Sequence, residues 1–378
     1  MAAMHRVALK MLLGDRAKFL ALVIGLSFSV LLIAQQGSIF LGLLLRSTGV
    51  LQNIDRPDLW VADEQTTYIG EYRPMKDEVL LRVRSIPGVA WAEPFFTTRA
   101  TIELPDGQFR TGQLLGIDRS TLVGQPPQMT AGRIDDLRIP DAVIVEEASR
   151  EKLGGVELGQ TLKLNDRRAL VVGFCRAKTG FESNALIYST YENARSFVPT
   201  GRDTLSYILV KTKPDASIPD VQQAINRLPA VAALTKPELR EKSVRYILKN
   251  TGIGINFGIT VTLGLIVGLV IAAATFYQFT NENLRYFAVL KAMGAGRGTL
   301  LRMIGLQAIL VGLIGYGIGL GGASAFSLLG RKPGSELSTF FPWQLMLAAF
   351  LAMILCVLLG SLLSLRKVLR VDPAQIFT

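Results

Sequence analysis

Histidine is nearly absent from this chain of 378 residues, which contains His5 alone. That scarcity excludes Ser-His-Asp triads, H-E-x-x-H zinc sites and multi-histidine metal cages. Cysteine is scarce too: Cys175 lies in a long polar segment and Cys356 in an apolar run, so we expect no disulfide. No G-x-x-x-x-G-K-[ST] phosphate loop occurs. We therefore expect a non-catalytic chain that binds no metal or cofactor and does not hydrolyse nucleotide by itself.

Charged residues are absent from four long apolar runs, which comprise residues 19–45, 251–280, 303–330 and 340–365. Each run exceeds the roughly 20 apolar residues that a helix needs to cross about 30 Å of hydrocarbon. The first run is also far longer than the apolar core of a signal peptide, about 7–15 residues, so we expect a retained anchor. The sequence therefore predicts a membrane protein with four transmembrane α-helices.

The net charge of +11 comes largely from basic residues that flank these runs. By the positive-inside rule, residues 1–18, 281–302 and 366–378 are cytoplasmic, and residues 46–250 and 331–339 lie outside. We therefore expect a multi-pass membrane protein with both termini inside. The charge indicates contact with anionic membrane lipids, and no nucleic-acid partner is expected. The flanking cations are Arg6, Lys10, Arg16, Lys18, Arg285, Lys291, Arg297, Arg302, Arg366, Lys367 and Arg370.

The long outer segment, residues 46–250, alternates strand and helix patterns. It predicts an α+β domain inserted between the first two membrane helices, with a strand–helix–strand unit at each end. Residues 236–250 form the last predicted helix, a stalk that we expect to continue as one rod through residue 280. Predicted strands comprise residues 58–62, 89–104, 108–117, 142–145, 161–164, 169–174, 206–211 and 230–234, and the other helices comprise residues 75–85, 146–153 and 218–228.

Small residues recur at helical spacing inside the apolar runs. Gly264 with Gly268, and Gly315 with Gly319, form G-x-x-x-G pairs that permit close helix packing, either within one chain or between two copies. The same spacing relates Gly317 to residue 321. No charged side chain marks an ion path, and we expect Gln307 to form a hydrogen bond across a helix interface.

The insert at residues 281–302, NENLRYFAVLKAMGAGRGTLLR, is short, basic and held between two membrane runs. Its apolar residues Phe287, Val289, Leu290 and Met293 would face the cytosol unless another protein covers them. The pattern therefore favours a docking segment over a plain basic loop.

The same insert resembles the coupling segment of the MacB/FtsX family of ABC transporter permeases. Tyr286 stands where the broad family tends to have Glu, and this departure resembles the DevC-like branch, known from the heterocyst glycolipid exporter. Residues 371–377 (VDPAQIF), 251–254 (TGIG) and 234–236 (LTK) also resemble that branch. The ATPase-coupling residues implied by the resemblance are Tyr286, Phe287, Val289, Leu290, Lys291, Ala292, Met293, Gly294 and Ala295.

The resemblance implies a permease subunit of the bacterial inner (plasma) membrane whose ATP and Mg²⁺ are bound by a separate ABC ATPase. It also implies a second permease copy, a periplasmic membrane-fusion adaptor, an outer-membrane duct, and a lipid or other amphiphile as cargo. ATP-driven closure of the ATPases would then move the outer domains. Two alternatives stay open: an FtsX-like regulator of a cell-wall hydrolase, whose outer domain is usually smaller, and a lipoprotein-releasing permease.

Overall fold

A computed structural model describes residues 2–14, 16–71, 73–104, 106–180, 184–198, 204–330 and 338–370. The helices are α1 (Ala2–Gly14), α2 (Arg16–Arg46), α3 (Gly49–Gln52), α4 (Asp77–Arg84), α5 (Glu147–Lys152), α6 (Tyr191–Ser196), α7 (Ile218–Asn226), α8 (Lys236–Asn250), α9 (Ile253–Glu282), α10 (Leu284–Ala292), α11 (Arg297–Leu329) and α12 (Trp343–Arg370). The strands are β1 (Leu59–Asp63), β2 (Met75–Lys76), β3 (Val89–Glu103), β4 (Phe109–Ile117), β5 (Gln128–Gly132), β6 (Ala142–Glu146), β7 (Thr161–Leu164), β8 (Arg167–Arg176), β9 (Ala185–Thr190), β10 (Thr204–Leu205), β11 (Tyr207–Thr212) and β12 (Val231–Thr235).

The chain divides into a membrane unit and an outer unit, and the membrane unit comprises residues 2–42, 253–330 and 339–370. Among the described residues, four helices are long and apolar enough to cross a membrane. They lie in α2, α9, α11 and α12, which confirms the four predicted membrane helices and their order. The fold class predicted from the sequence is therefore correct.

Two helices of the membrane unit start at residues that differ from the starts of the predicted spans. The third helix begins at Arg297 rather than at residue 303, because Gly296 adopts an extended conformation and caps the helix before its two arginines. The fourth begins at Trp343 rather than at residue 340, directly after Pro342, which suits a position at a helix start. The predicted outer loop 331–339, apart from its last two residues, and the motif at residues 371–377 lie outside the described residues.

Glycines bring α9 against α2 within this chain. A Cβ added at Gly264 would lie 3.4 Å from the Cβ of Leu32, and one added at Gly268 would overlap the side chain of Ser29. The Ser29 hydroxyl instead donates a hydrogen bond of 2.8 Å to the carbonyl of Gly264. Only small residues on α9 therefore allow the two helices to approach so closely.

The second glycine pair brings α11 against the same helix. A Cβ at Gly315 would lie 2.9 Å from the Cβ of Leu26, and one at Gly319 would lie 2.8 Å from the Cβ of Val30. By contrast, a Cβ at Gly317 would meet no described atom within 4 Å. Of the two packing arrangements that the sequence left open, the structure places Gly264, Gly268, Gly315 and Gly319 in contacts within the chain.

The outer unit, residues 43–252, is built on a sheet of ten described strands. Its order is β12-β1-β11-β3-β4-β9-β6-β8-β5, with β7 pairing with both β3 and β8. The first four positions hold two β-α-β units that interleave: β1 and β3 are separated by β11, and β11 and β12 are separated by β1. This is a split β-α-β arrangement. The two predicted terminal units are confirmed, and the sequence pattern did not reveal their interleaving.

Each face of this sheet has its own core. Val61 points to the face where Val83 of α4 and Ile225 of α7 pack. Its neighbour Trp60 points to the opposite face, which contains Leu239 of α8. Side chains alternate along a strand, so helices are needed on both sides to exclude water from the sheet.

Some elements differ from the sequence predictions. The predicted helix 75–85 begins only at Asp77, because Lys76 is extended and pairs in a two-stranded sheet with β10. Strands β5 and β9 and helix α6 were not predicted. All six residues of β9 are buried, since it lies inside the sheet between β4 and β6. Such a strand lacks the polar–apolar alternation by which half-buried strands are recognised.

The predicted continuous helix from residue 236 to residue 280 is wrong. Helix α8 ends at Asn250, and the backbone N–H of Thr251 donates to the carbonyl of Ile247 at 3.2 Å. Gly252 then adopts φ +67°, a conformation in which a Cβ is unfavourable, and α9 starts at Ile253. The stalk helix and the second membrane helix are therefore separate elements.

Candidate docking site on α10

Helix α10 is a short helix inside the predicted coupling insert, and as the sequence predicts, Gly294 terminates it, two residues after Ala292. The backbone N–H of Ala295 donates to the carbonyl of Leu290 at 2.9 Å, and that of Gly294 donates to the carbonyl of Lys291 at 3.0 Å. Gly294 has φ +91°. This pair of bonds defines a Schellman motif, and Leu290 and Ala295 both pack against the buried cluster of Phe287, Leu300 and Ile304.

The inner face of α10 packs on α11. Phe287 is 1% exposed and forms a cluster with Leu300 and Ile304, while Leu290 lies at its edge, partly buried. The prediction that both side chains are exposed is therefore wrong for Phe287 and only partly correct for Leu290, and the side of the membrane that α10 faces stays a prediction. Their burial fixes the orientation of α10 about its axis.

The outer face of α10 carries three large exposed side chains. Tyr286 is 62% exposed, Val289 39% and Met293 71%. They are spaced i, i+3 and i+7, so they form one stripe along the helix. Ala292 is also exposed, which allows close approach to the backbone beside the stripe. We call Tyr286, Val289 and Met293 the α10 stripe.

The electrostatic setting of the α10 stripe is basic. Arg285, Arg297 and Arg302 are all exposed, and Glu282 is the single acidic residue in the insert 281–302. A surface of this composition attracts a partner whose matching groove is apolar and edged by carboxylates.

Helix α1 supports the α10–α11 pair, a feature that the sequence analysis missed. Gln307, which is 1% exposed, donates a hydrogen bond of 2.8 Å from Nε2 to the carbonyl of Ala8. Met11 packs on the Phe287 cluster. The prediction that Gln307 bonds across a helix interface is confirmed. Buried Ala8 and Leu12 share one face of α1, a spacing that could have indicated the helix.

The side chains of the described residues do not meet the requirements of a metal site. Within the described ranges, no group of three or more His, Cys, Asp or Glu side chains is placed to hold a metal ion. Cys175 is buried in the outer unit, where desolvation, together with the nearby carboxylates of Glu146 and Glu147, raises its pKa well above the ordinary value. A buried, protonated thiol is inert, so Cys175 is a core residue.

Comparison with known protein families agrees with this architecture. Residues 19–228 match the MacB-like periplasmic core domain, and residues 258–373 match the FtsX-like permease C-terminal family. The first match alone covers more than half of the chain. The chain therefore belongs to the MacB/FtsX family of ABC transporter permeases, a class of proteins that works with an ATPase.

Relatives cover most of the chain. An uncharacterized ABC transporter permease of Mycobacterium bovis is 29% identical over 307 residues, covering 79% of this chain and 77% of its own. Another from Mycobacterium tuberculosis is 27% identical and covers 80% and 79%. The macrolide export ATP-binding/permease protein MacB of Hahella chejuensis is 25% identical over 64% of this chain and 38% of its own. The periplasmic region of MacB from Actinobacillus actinomycetemcomitans aligns with 50% of this chain and 94% of its own, at 15% identity and a TM-score of 0.41.

Proposed function

We propose that this chain is the membrane subunit of an ABC exporter and that a separate ATPase docks on the α10 stripe. The observation that carries the proposal is the exposure of Tyr286, Val289 and Met293 on one face of a short helix between two candidate membrane spans. Apolar side chains clustered on an exposed helix mark a protein contact, and this spacing suits a helix held in a groove. The ATP and Mg²⁺ belong to the partner.

The proposed orientation places α10 in the cytoplasm, with both termini inside and the outer unit on the far side of the inner membrane. Its support is the basic composition of the insert, where Arg285, Lys291, Arg297 and Arg302 lie beside a single Glu282. An ATPase that consumes cytoplasmic ATP can reach α10 only in this orientation.

The proposed cargo is a lipid or other amphiphile, handled on the outer side by two permease copies with a periplasmic adaptor and an outer-membrane duct. Support comes from the resemblance of the insert to the DevC-like branch and from the sequence of the membrane runs, which carry no charged residue. Because the spans offer no charged path for an ion, we propose that ATP hydrolysis drives export by moving the outer unit. The break at Gly252 makes that movement a displacement of separate helices rather than of one rigid rod.

A pull-down from native membranes tests the docking assignment. Met293→Asp places a charge in the contact, where an unpaired buried charge costs several kcal/mol, so ATPase recovery should fall about 100-fold. Met293 is the most informative position for this substitution, since it is the most exposed residue of the α10 stripe. Leu290→Asp is less informative because Leu290 also packs on the Phe287 cluster.

Two matched variants control this test. Met293→Leu keeps the apolar contact and should retain the ATPase, and Phe109→Asp adds the same charge at a similarly exposed residue of the outer unit, 64% exposed. Each variant should reach the membrane in normal amount, with the ATPase identified by mass spectrometry and ATP hydrolysis measured in the eluate. Full ATPase recovery with Met293→Asp would require the docking site to be abandoned.

A further inference from the structure

A groove of about 540 Å³ lies in the outer unit beside α3 and along one face of α8. Two faces of helix α8 make contacts of different kinds. Leu239 and Ile247 are buried on one face, and Pro237, Arg240 and Val244, at spacing i, i+3 and i+7, line the groove on the other. The volume falls within the range of about 300–1,000 Å³ that is typical of small-molecule sites.

The interior of the groove is apolar. Leu51, which is 1% exposed, lines it with Pro237 and Val244. Gln52 also lines the groove, but its amide is already bonded within the chain: Nε2 donates to the carbonyl of Leu45 at 2.9 Å, and Oε1 accepts from Nζ of Lys178 at 2.8 Å. Apart from the charged side chains of Lys236, Arg240 and Glu241, the surface on offer to a ligand is therefore hydrocarbon.

Arg240 is the charged lining residue whose side chain is best placed to bind a ligand. Its guanidinium is exposed, and among the described residues it makes no hydrogen bond or ion pair. Lys236 pairs with Asp55, whose side chain is 86% exposed, so that ion pair is weak. Among the described residues that line the groove, two cations, Lys236 and Arg240, stand against one carboxylate, that of Glu241, which pairs with Arg245.

We propose that this groove binds an amphiphile with one alkyl chain and an anionic head group. The alkyl chain lies on Pro237 and Val244, and the head group binds the guanidinium of Arg240, since an apolar groove with an excess of positive charge complements that pair of properties. An extended peptide is disfavoured because the backbone of α8 is bonded within the helix and presents no strand edge. The assignment rests on the proposed function and specifies the cargo as anionic.

Photo-cross-linking of the full chain tests this site. The chain is placed in phosphatidylcholine nanodiscs and exposed to a dodecyl sulfate that carries a diazirine on its alkyl chain. Labelling should map to residues 237–244. Because a hydrogen bond to a charged group is strong, Arg240→Gln should reduce labelling about tenfold, and Arg240→Lys should retain most of it.

The controls separate the head group from the alkyl chain. Arg227→Gln removes an exposed arginine elsewhere in the outer unit and should not change labelling, while Val244→Trp should block the groove. Equal labelling of Arg240→Gln and wild type, or competition by neutral dodecyl maltoside as effective as that by dodecyl sulfate, would overturn the assignment. So would labelling confined to other residues. No ATPase is present, so the outcome is independent of the docking test with Met293→Asp.

Discussion

Replacing Gly319 by alanine tests the packing of α11 on α2. The added methyl would overlap the carbonyl oxygen of Ser27 and lie 2.8 Å from the Cβ of Val30 and 3.0 Å from the backbone nitrogen of Leu31. Carbon atoms prefer separations of about 3.5–4.0 Å, so the helices must move apart by roughly 1 Å. Backbone atoms cannot rotate away, and overpacking of this kind costs about 1–3 kcal/mol.

Gly317→Ala provides the matched control on the same helix. Its Cβ meets no described atom within 4 Å, so the substitution should be neutral or stabilise the helix by up to about 1 kcal/mol. Size-exclusion chromatography after heating measures the midpoint of unfolding in detergent. Gly319→Ala should lower this midpoint by about 2–4 °C for each kcal/mol. Equal midpoints for the two variants would refute the packing, and a change confined to oligomeric state would assign Gly319 to a contact between copies.

Two further predictions concern the ionisation of Asp58 and the orientation of the chain in the membrane. Partial burial opposes ionisation of Asp58, but bonds from Lys211 at 2.7 Å and from Thr212 outweigh it and lower its pKa below 3.8. The stabilisation by ionised Asp58 is present above the pKa of the unfolded chain and is lost as pH falls through the pKa of the folded protein. Asp58→Asn should therefore lower the free energy of unfolding at pH 7, and the difference between wild type and variant should narrow below about pH 4. A difference that does not change with pH would contradict this prediction. A cysteine introduced by Asp106→Cys, on an exposed hairpin of the outer unit, should react with an impermeant maleimide added outside intact cells. A cysteine introduced by Arg285→Cys, next to the α10 stripe, should react only after the membrane is permeabilised. The opposite pattern would reverse the proposed orientation.

Local chemistry made several features predictable. The four membrane helices follow from uncharged runs longer than about 20 residues, since lipid accepts such segments whatever their neighbours are. The end of α10 was predictable from Gly294, because the chain adopts a positive φ there, and that conformation costs a residue with a Cβ about 1–2 kcal/mol. The strand–helix–strand units at the ends of the outer domain follow from periodicity.

Other features required contacts between distant segments. Phe287 and Met293 lie six residues apart in the same apolar pattern, yet Phe287 is buried and Met293 is exposed. Leu300 and Ile304 of α11 determine that difference, and a pattern within α10 alone does not contain it. Likewise, β9 is buried by β4 and β6, which are distant in sequence.

The sequence by itself therefore determined the membrane spans, the helix end at Gly294 and the α+β character of the outer domain, because each depends on short-range chemistry. Only the tertiary structure decided which face of α10 is exposed, that the glycines of α9 and α11 pack on α2, and that Arg240 borders an apolar groove. These depend on which side chains distant segments bring together, and burial is a property of those neighbours rather than of the residue alone.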